Sequence, residues 1–433
     1  MSKNEQHNKY IKVFNIYNDV AISLLITIIL LTLNNSQNSL KIIGFLLILI
    51  SFYLIYKVRF YSSLLILFGL IAYVNLSVAI GDLLQVSQVL GSESLNWQMG
   101  LRSSDYNIIA SKALLFVMII LNIMINKEYL NKIKTASTNT IIKKDNFYIF
   151  FAGMLVLLVF WFFGYSSSMG DTYHSNTRTI YEYSILIFLV VWFYSGKSNI
   201  RLLLLYFFAI MYILQALVRG DRSSAFPMIL ALVLINDFKI NLRTLIILAI
   251  SGILASNIVS AYRIAFSLSD LKDIFFDKYG MTAFLSDTVS QSYYTGITIV
   301  KSHYLVNSTE SYFFDFLGGI FLGGGFRNAD VGAVSFEYLL NKGGGFYFSW
   351  FYFWFGIVGV IVGAIVLGYI IRSLFSSQNN YIKLYRICLI VMTFRWYLYT
   401  PFVLYRSVIF ILSVLLIISI IVDTLTTKKL KHG

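Results

Sequence analysis

The stretch Leu202-LLLYFFAIMYILQALVRGDRSSAFPMILALVL-Ile235 decides the fold. From Leu202 to Val218 no residue is charged. Such a run, about 17–25 apolar residues as a helix, crosses roughly 30 Å of hydrocarbon. The turn Arg219-Gly220-Asp221-Arg222-Ser223-Ser224 follows, and a second apolar run, Phe226–Ile235, begins almost at once. Two hydrophobic segments joined by so tight and charged a turn read as a pair of antiparallel membrane helices.

The pattern repeats on both sides. Further spans are expected near Val13–Leu33, Leu40–Tyr56, Phe60–Ile80, Ile108–Asn126, Phe147–Gly164, Tyr181–Tyr194, Leu242–Val259, Phe346–Ile371, Tyr385–Thr400 and Val408–Val422. The fold class is all-α, a polytopic integral membrane protein of about twelve transmembrane helices. Residues 1–433 form a single transmembrane domain. Residues 261–345 are expected as a large outer loop between the ninth and tenth helices. Composition agrees: 58% of the chain is hydrophobic and 12% charged, against about 25% charged in soluble domains. The polar, basic start from Met1 to Lys12 leads straight into the first span, so no cleavable signal is expected. One cysteine, Cys388, excludes disulfides within the chain and cysteine-based metal sites. No metal-binding or Walker-type motif is present, and no cofactor is expected.

The net charge of +14 suggests nucleic acid only until its distribution is read. With the N-terminus in the cytoplasm, Lys57 and Arg59, Lys127 to Lys144, Lys197 and Arg201, Lys239 and Arg243, Arg372 to Arg386 and Lys428 to Lys431 all fall in cytoplasmic connections. That is the positive-inside signature, with both termini inside and no nucleic-acid partner. Arg219, Arg222, Arg263, Arg327 and Arg406 fall on the other side, where topology does not call for them. Arg395 lies within the eleventh span, where a guanidinium costs about 2.5–3.5 kcal/mol and must meet a polar cavity or a partner.

Each has a bland reading. Arg219, Arg222 and Arg263 can snorkel to the interface, and Arg395 can close a structural ion pair. Taken together they form a basic, aromatic-rimmed pocket. A guanidinium is a planar fork that matches phosphate oxygens, so a lipid pyrophosphate suits the pocket. Glu337, with Asn341 one turn on, is the first candidate base, and His303 the second. Both also read as ordinary surface residues. The triple glycines Gly323–Gly325 and Gly343–Gly345 allow close backbone approach to phosphate. The helical stretches in 270–304 read as a cap over the bundle, a wall of the site, or both.

Three stretches resemble the Wzy-type O-antigen and oligosaccharide repeat-unit polymerases: the Arg219–Ser223 turn, the late outer loop, and Glu337-Tyr338-Leu339-Leu340-Asn341-Lys342-Gly343 leading into Trp350–Gly359. The resemblance covers the second half in detail and the first half as a string of spans. It implies a GT-C-like, metal-independent glycosyltransferase in a bacterial inner membrane. It implies transfer of a growing glycan from undecaprenyl pyrophosphate to the sugar of a new lipid-linked repeat unit, with a chain-length regulator as a possible partner. Arg219, Arg222 and Arg263 would hold pyrophosphate, assisted by Arg327, Arg395 or Arg406. The alternatives are an O-antigen ligase, which shares the layout and relies on an outer histidine, and a lipid-linked oligosaccharide flippase.

Overall fold

A computed structural model describes residues 19–34, 36–84, 99–136, 141–165, 179–219, 221–236, 238, 240–262, 269, 287–341 and 343–432. Among them every regular element is helical, and the only β pairing is one isolated bridge, Asp145 to Ser195. In chain order the helices are α1 (Asp19–Thr32), α2 (Gln37–Val58), α3 (Ser62–Leu83), α4 (Met99–Arg102), α5 (Asp105–Met124), α6 (Lys127–Ala136), α7 (Phe147–Phe163), α8 (Thr179–Phe193) and α9 (Asn199–Val218). They continue as α10 (Arg222–Ile235), α11 (Leu242–Tyr262), α12 (Asp287–Ser302), α13 (Ser311–Leu322), α14 (Val331–Tyr338), α15 (Tyr347–Ser376), α16 (Asn380–Val391) and α17 (Val403–Thr427).

Polar residues between the apolar runs start several of these helices. Ser36, Asn146, Ser198, Asp221, Asp330 and Asn379 each accept a hydrogen bond from a backbone N–H in the first turn of the helix that follows. Among the described residues α2, α3, α5, α9, α15 and α17 are long and apolar enough to cross a membrane, and several shorter helices are as apolar. Helix α7 buries only Ile149, Phe150 and Leu157 and exposes Phe147, Phe151, Leu158 and Phe162. Water would meet that face at high cost, whereas lipid matches it. The build is that of a multi-pass helical membrane protein.

Side-chain contacts sort the connections to two ends. At one end Lys57 pairs with Asp19 at 2.9 Å, Lys144 with Asp423 at 2.8 Å, and Arg201 with Asp145 at 2.6 Å. The Tyr129 hydroxyl there donates to the Arg372 carbonyl at 3.2 Å. The basic connections of the sequence thus meet one another at a lysine end. The Arg219–Arg222 turn, the C-terminus of α3 and the N-terminus of α5 lie at the opposite, arginine end.

Two features depart from the sequence expectation. The apolar run from Phe346 to Ile371 reads as one continuous span. In the structure it reverses at Phe355 (φ −136°, ψ 21°) and Gly356 (φ 59°, ψ −146°). The Tyr347 hydroxyl reaches the Gly363 carbonyl at 2.9 Å, although sixteen residues of straight helix would separate them by about 24 Å. Tyr347–Trp354 is therefore a buried helix folded back against Gly359 and Gly363. The reason is local: Gly356 takes a backbone conformation open in practice to glycine alone.

The second departure concerns α12. Its Val289, Tyr293 and Ile297 stripe is buried as an amphipathic cap requires, but Ser292, Thr295 and Thr298 on other faces are buried too. Helix α12 contacts α3, α5 and α15, meeting α3 at Asp82 and α5 at Asn107. The helical stretches expected at 270–279 and 281–286 lie outside the described residues.

Candidate functional site

The arginine end is assembled by α8, α9, α10 and the π-turn Phe394–Tyr399 that follows α16. Tyr181 and Tyr212 stack at 4.2 Å, and each hydroxyl donates to the other residue's carbonyl, at 2.9 and 3.0 Å. This sets the first turn of α8 against the last turns of α9. Asp221 then caps α10: its Oδ1 accepts from the Ser224 N–H at 3.2 Å and the Ser223 hydroxyl at 2.7 Å, and its Oδ2 from the Tyr165 hydroxyl at 3.2 Å. Burial first, and the Asp221 charge second, push the Tyr165 hydroxyl well above its ordinary pKa, so it stays protonated as a donor. The Arg219 guanidinium lies over the Tyr165 ring, 4.3 Å from its centroid.

Arg395 is explained by a proline. Pro227 has no N–H, so the Ser223 carbonyl four residues earlier loses its helical partner. Arg395 supplies the replacement: Nε and Nη2 both donate to that carbonyl at 3.1 Å, and Nη1 pairs with Glu182 on α8. The ion-pair reading of Arg395 and the clustered reading are thus both present. Arg406 reaches the same turn of α8, donating to the Tyr183 hydroxyl at 3.3 Å, and takes the Gly319 and Ile320 carbonyls of α13 at 3.1 and 2.8 Å. Arg222 donates to the Thr288 hydroxyl of α12 at 3.1 Å. Four of the predicted arginines, 219, 222, 395 and 406, therefore converge on the first turns of α8 and α10. Of these, Arg395 pairs with Glu182 and lies within electrostatic reach of Asp221.

Glu337 and His303 stand elsewhere. The His303 Nδ1 lies 2.8 Å from the Phe353 carbonyl, one of the acceptors released by the reversal in α15. Thr309 takes the next, donating to Trp354 at 3.3 Å. A carbonyl can only accept, so Nδ1 is the donor in this contact. Tyr304 and Tyr352 flank the imidazole, with their hydroxyls 2.6 Å apart. Glu337 is exposed on α14, which is tied to α12 by the 2.8 Å contact of Ser335 with Ser302. It lies near Tyr312, whose hydroxyl is raised by burial first and then by Tyr338, Glu337 and Asp315.

Helix α12 measures the gap. Arg222 meets it at Thr288, while His303 and α14 meet it at and beyond Ser302. Fourteen residues of helix separate those points by about 21 Å. Arg327 is 73% exposed and 3.8 Å from Asp315, a pair of little energetic weight. Arg263 lies outside the described residues.

Sequence reasoning missed Glu182, Tyr183, Thr288 and Asp82. Asp82 is 4% exposed, on the π-turn Ala79–Leu83 that ends α3. The apolar pattern runs on through Leu83 and Leu84, which was the available signal that Asp82 is not in a loop. Compared with known protein families, curated proteins and solved structures, the chain finds no match.

Proposed function

We propose that the chain is a membrane glycosyltransferase that polymerises lipid-linked oligosaccharide repeat units. The observation that carries this is the convergence of Arg219, Arg222, Arg395 and Arg406 on the first turns of α8 and α10, at the end away from the lysines. The substrate is a glycan on undecaprenyl pyrophosphate, lying with its lipid against the apolar belt and its pyrophosphate among the guanidiniums. An acceptor hydroxyl of a second lipid-linked unit attacks the anomeric carbon. Undecaprenyl pyrophosphate leaves with the electron pair, and prepositioned arginines stabilise the charge that develops on it. The positive-inside pattern supports reading this end as the outer face with both termini cytoplasmic, and a bacterial plasma membrane is the location this function calls for. A chain-length regulator is the expected protein partner.

An O-antigen ligase is the second reading. It rests on His303, whose ring is oriented by the Phe353 carbonyl at Nδ1, but that imidazole is about 21 Å along α12 from the arginine contact.

The test is a gene deletion with complementation. The surface glycolipid ladder is expected to collapse to core plus one repeat, and wild type to restore it. Arg219→Ala and Arg222→Ala are each expected to cut polymer formation about tenfold or more, the worth of one charged hydrogen bond. An unchanged ladder from both variants at normal protein level contradicts the reading. Bare core after deletion points to the ligase.

A further inference from the structure

Joining two lipid-linked units needs room for two pyrophosphates, because the acceptor keeps its own while the donor's leaves. The Arg219–Arg222 turn accounts for one. The C-terminal end of α13 has the features of a second.

Helix α13 is apolar on more than one face. Phe316 and Gly319 are buried, while Phe314, Phe321 and Leu322 are exposed. Its C-terminal end lies against α17. Arg406 holds the Gly319 and Ile320 carbonyls, and the Phe321 and Phe410 rings pack with centroids 5.0 Å apart. Arg406 is in the first turn of α17 and Phe410 is one turn further along. Helix α13 therefore sits at the depth where α17 enters the bilayer at the arginine end, and lipid matches its exposed face.

The polar end of this surface is the glycine run. The Phe326 N–H closes a turn onto the Gly323 carbonyl at 3.0 Å. Neither central residue, Gly324 or Gly325, has a positive φ, as in a type I turn. Both are exposed, and their N–H groups have no backbone acceptor among the described residues. Successive free N–H groups in a turn make a concavity for an anion. Arg406 stands beside it. Its Nε and Nη1 serve the Tyr183 hydroxyl and the two α13 carbonyls, and Nη2 makes no hydrogen bond among the described residues. A methyl placed on Gly323 would stand 3.8 Å from Nη2. Two N–H groups and a guanidinium nitrogen at the end of an apolar helix face suit a phosphate carried on a lipid chain. Through Tyr183 this place adjoins the first site, since the preceding residue, Glu182, holds Arg395.

We infer that the Gly323–Gly325 turn and Arg406 hold the pyrophosphate of the acceptor lipid-linked unit, with its polyprenyl chain along α13 and α17. This rests on the polymerase reading and separates the acceptor's anchor from the donor's. Arg406 then stands between the two pyrophosphates.

In the experiment, purified full-length protein is titrated with undecaprenyl pyrophosphate, and native mass spectrometry counts the bound molecules. Wild type is expected to take two per chain. Gly324→Pro removes one N–H from the cradle. Proline suits the second position of a type I turn, and Gly323 before it already has the extended ψ, 161°, that a following proline favours. The second dissociation constant is expected to rise about tenfold or more, the worth of a hydrogen bond to a charged group. Gly324→Ala keeps the N–H, and its methyl meets only the Phe402 ring, at 3.7 Å. It is expected to bind as wild type does. One lipid per wild-type chain overturns the inference, and so does a Gly324→Pro variant that binds both lipids unchanged. Loss of the second lipid to equimolar phosphatidylglycerol also overturns it, because the place is then a general phospholipid site. If Gly324→Pro is not monodisperse, Arg406→Lys decides: a tenfold weaker second lipid supports the inference, and an unchanged one refutes it. Two bound lipids with the expected response to Gly324→Pro, but no polymer from wild type, is a different failure, and it sinks the polymerase reading instead.

Discussion

Arg395→Ala is expected to lose about 3–5 kcal/mol of stability, as when one partner of a buried pair is removed, and to lose all detectable polymer with it. The residue ties together three elements: the π-turn that bears it, Glu182 on α8, and the Ser223 carbonyl that Pro227 leaves without a helical donor. Alanine leaves that carbonyl unpaired and the Glu182 carboxylate without its cation. Glu182 is 32% exposed, so water recovers part of its loss, and the lower end of the range is the better expectation. Arg395→Lys keeps a charge but not the fork, since one ammonium cannot serve the carbonyl and the carboxylate in the same geometry. It is expected to fall between. Thermal melting in detergent checks the order wild type, lysine, alanine. An alanine variant that melts with wild type contradicts the account of Arg395.

Gly359→Ala is expected to cost at least about 3 kcal/mol, at the upper end of overpacking penalties. In most helices this change stabilises, by about 0.5–1 kcal/mol. Here the new methyl falls on the backbone carbonyl of Phe351, which belongs to the folded-back half of α15. A side chain can rotate away, but a backbone carbonyl inside a buried helix cannot. The two halves must part, and with them the Phe353 and Trp354 carbonyls that hold His303 and Thr309. Gly252→Ala in α11 is the control, because nothing lies within 4 Å of the added carbon. Melting temperatures of the two variants are expected to move in opposite directions. Equal behaviour means that the reversal at Gly356 is not the packed hairpin described above.

The helical, membrane-embedded build was legible because apolar runs and caps are local signals, as at Leu202–Val218 and Asp221. The arginine end was legible in outline because topology does not require Arg219, Arg222, Arg395 and Arg406 there. What holds them was not. Glu182 is the partner of Arg395 across more than two hundred residues, and no periodicity links them. The reversal in α15 was hidden because a glycine inside a long apolar run also fits an ordinary transmembrane helix, and only its positive φ marks the turn. Glu337 looked close to the basic pocket because 261–345 was read as one loop. The contact of Ser302 with Ser335 instead anchors α14 at the far end of α12.

The most direct measurement of the central claim is reconstitution. Wild-type protein in liposomes receives one lipid-linked repeat unit as its sole substrate, and the products are separated by length. The account predicts a ladder of glycans, each still on pyrophosphate lipid, and one undecaprenyl pyrophosphate released for every bond formed. Unchanged single units, or units moved across the bilayer without a new glycosidic bond, contradict it.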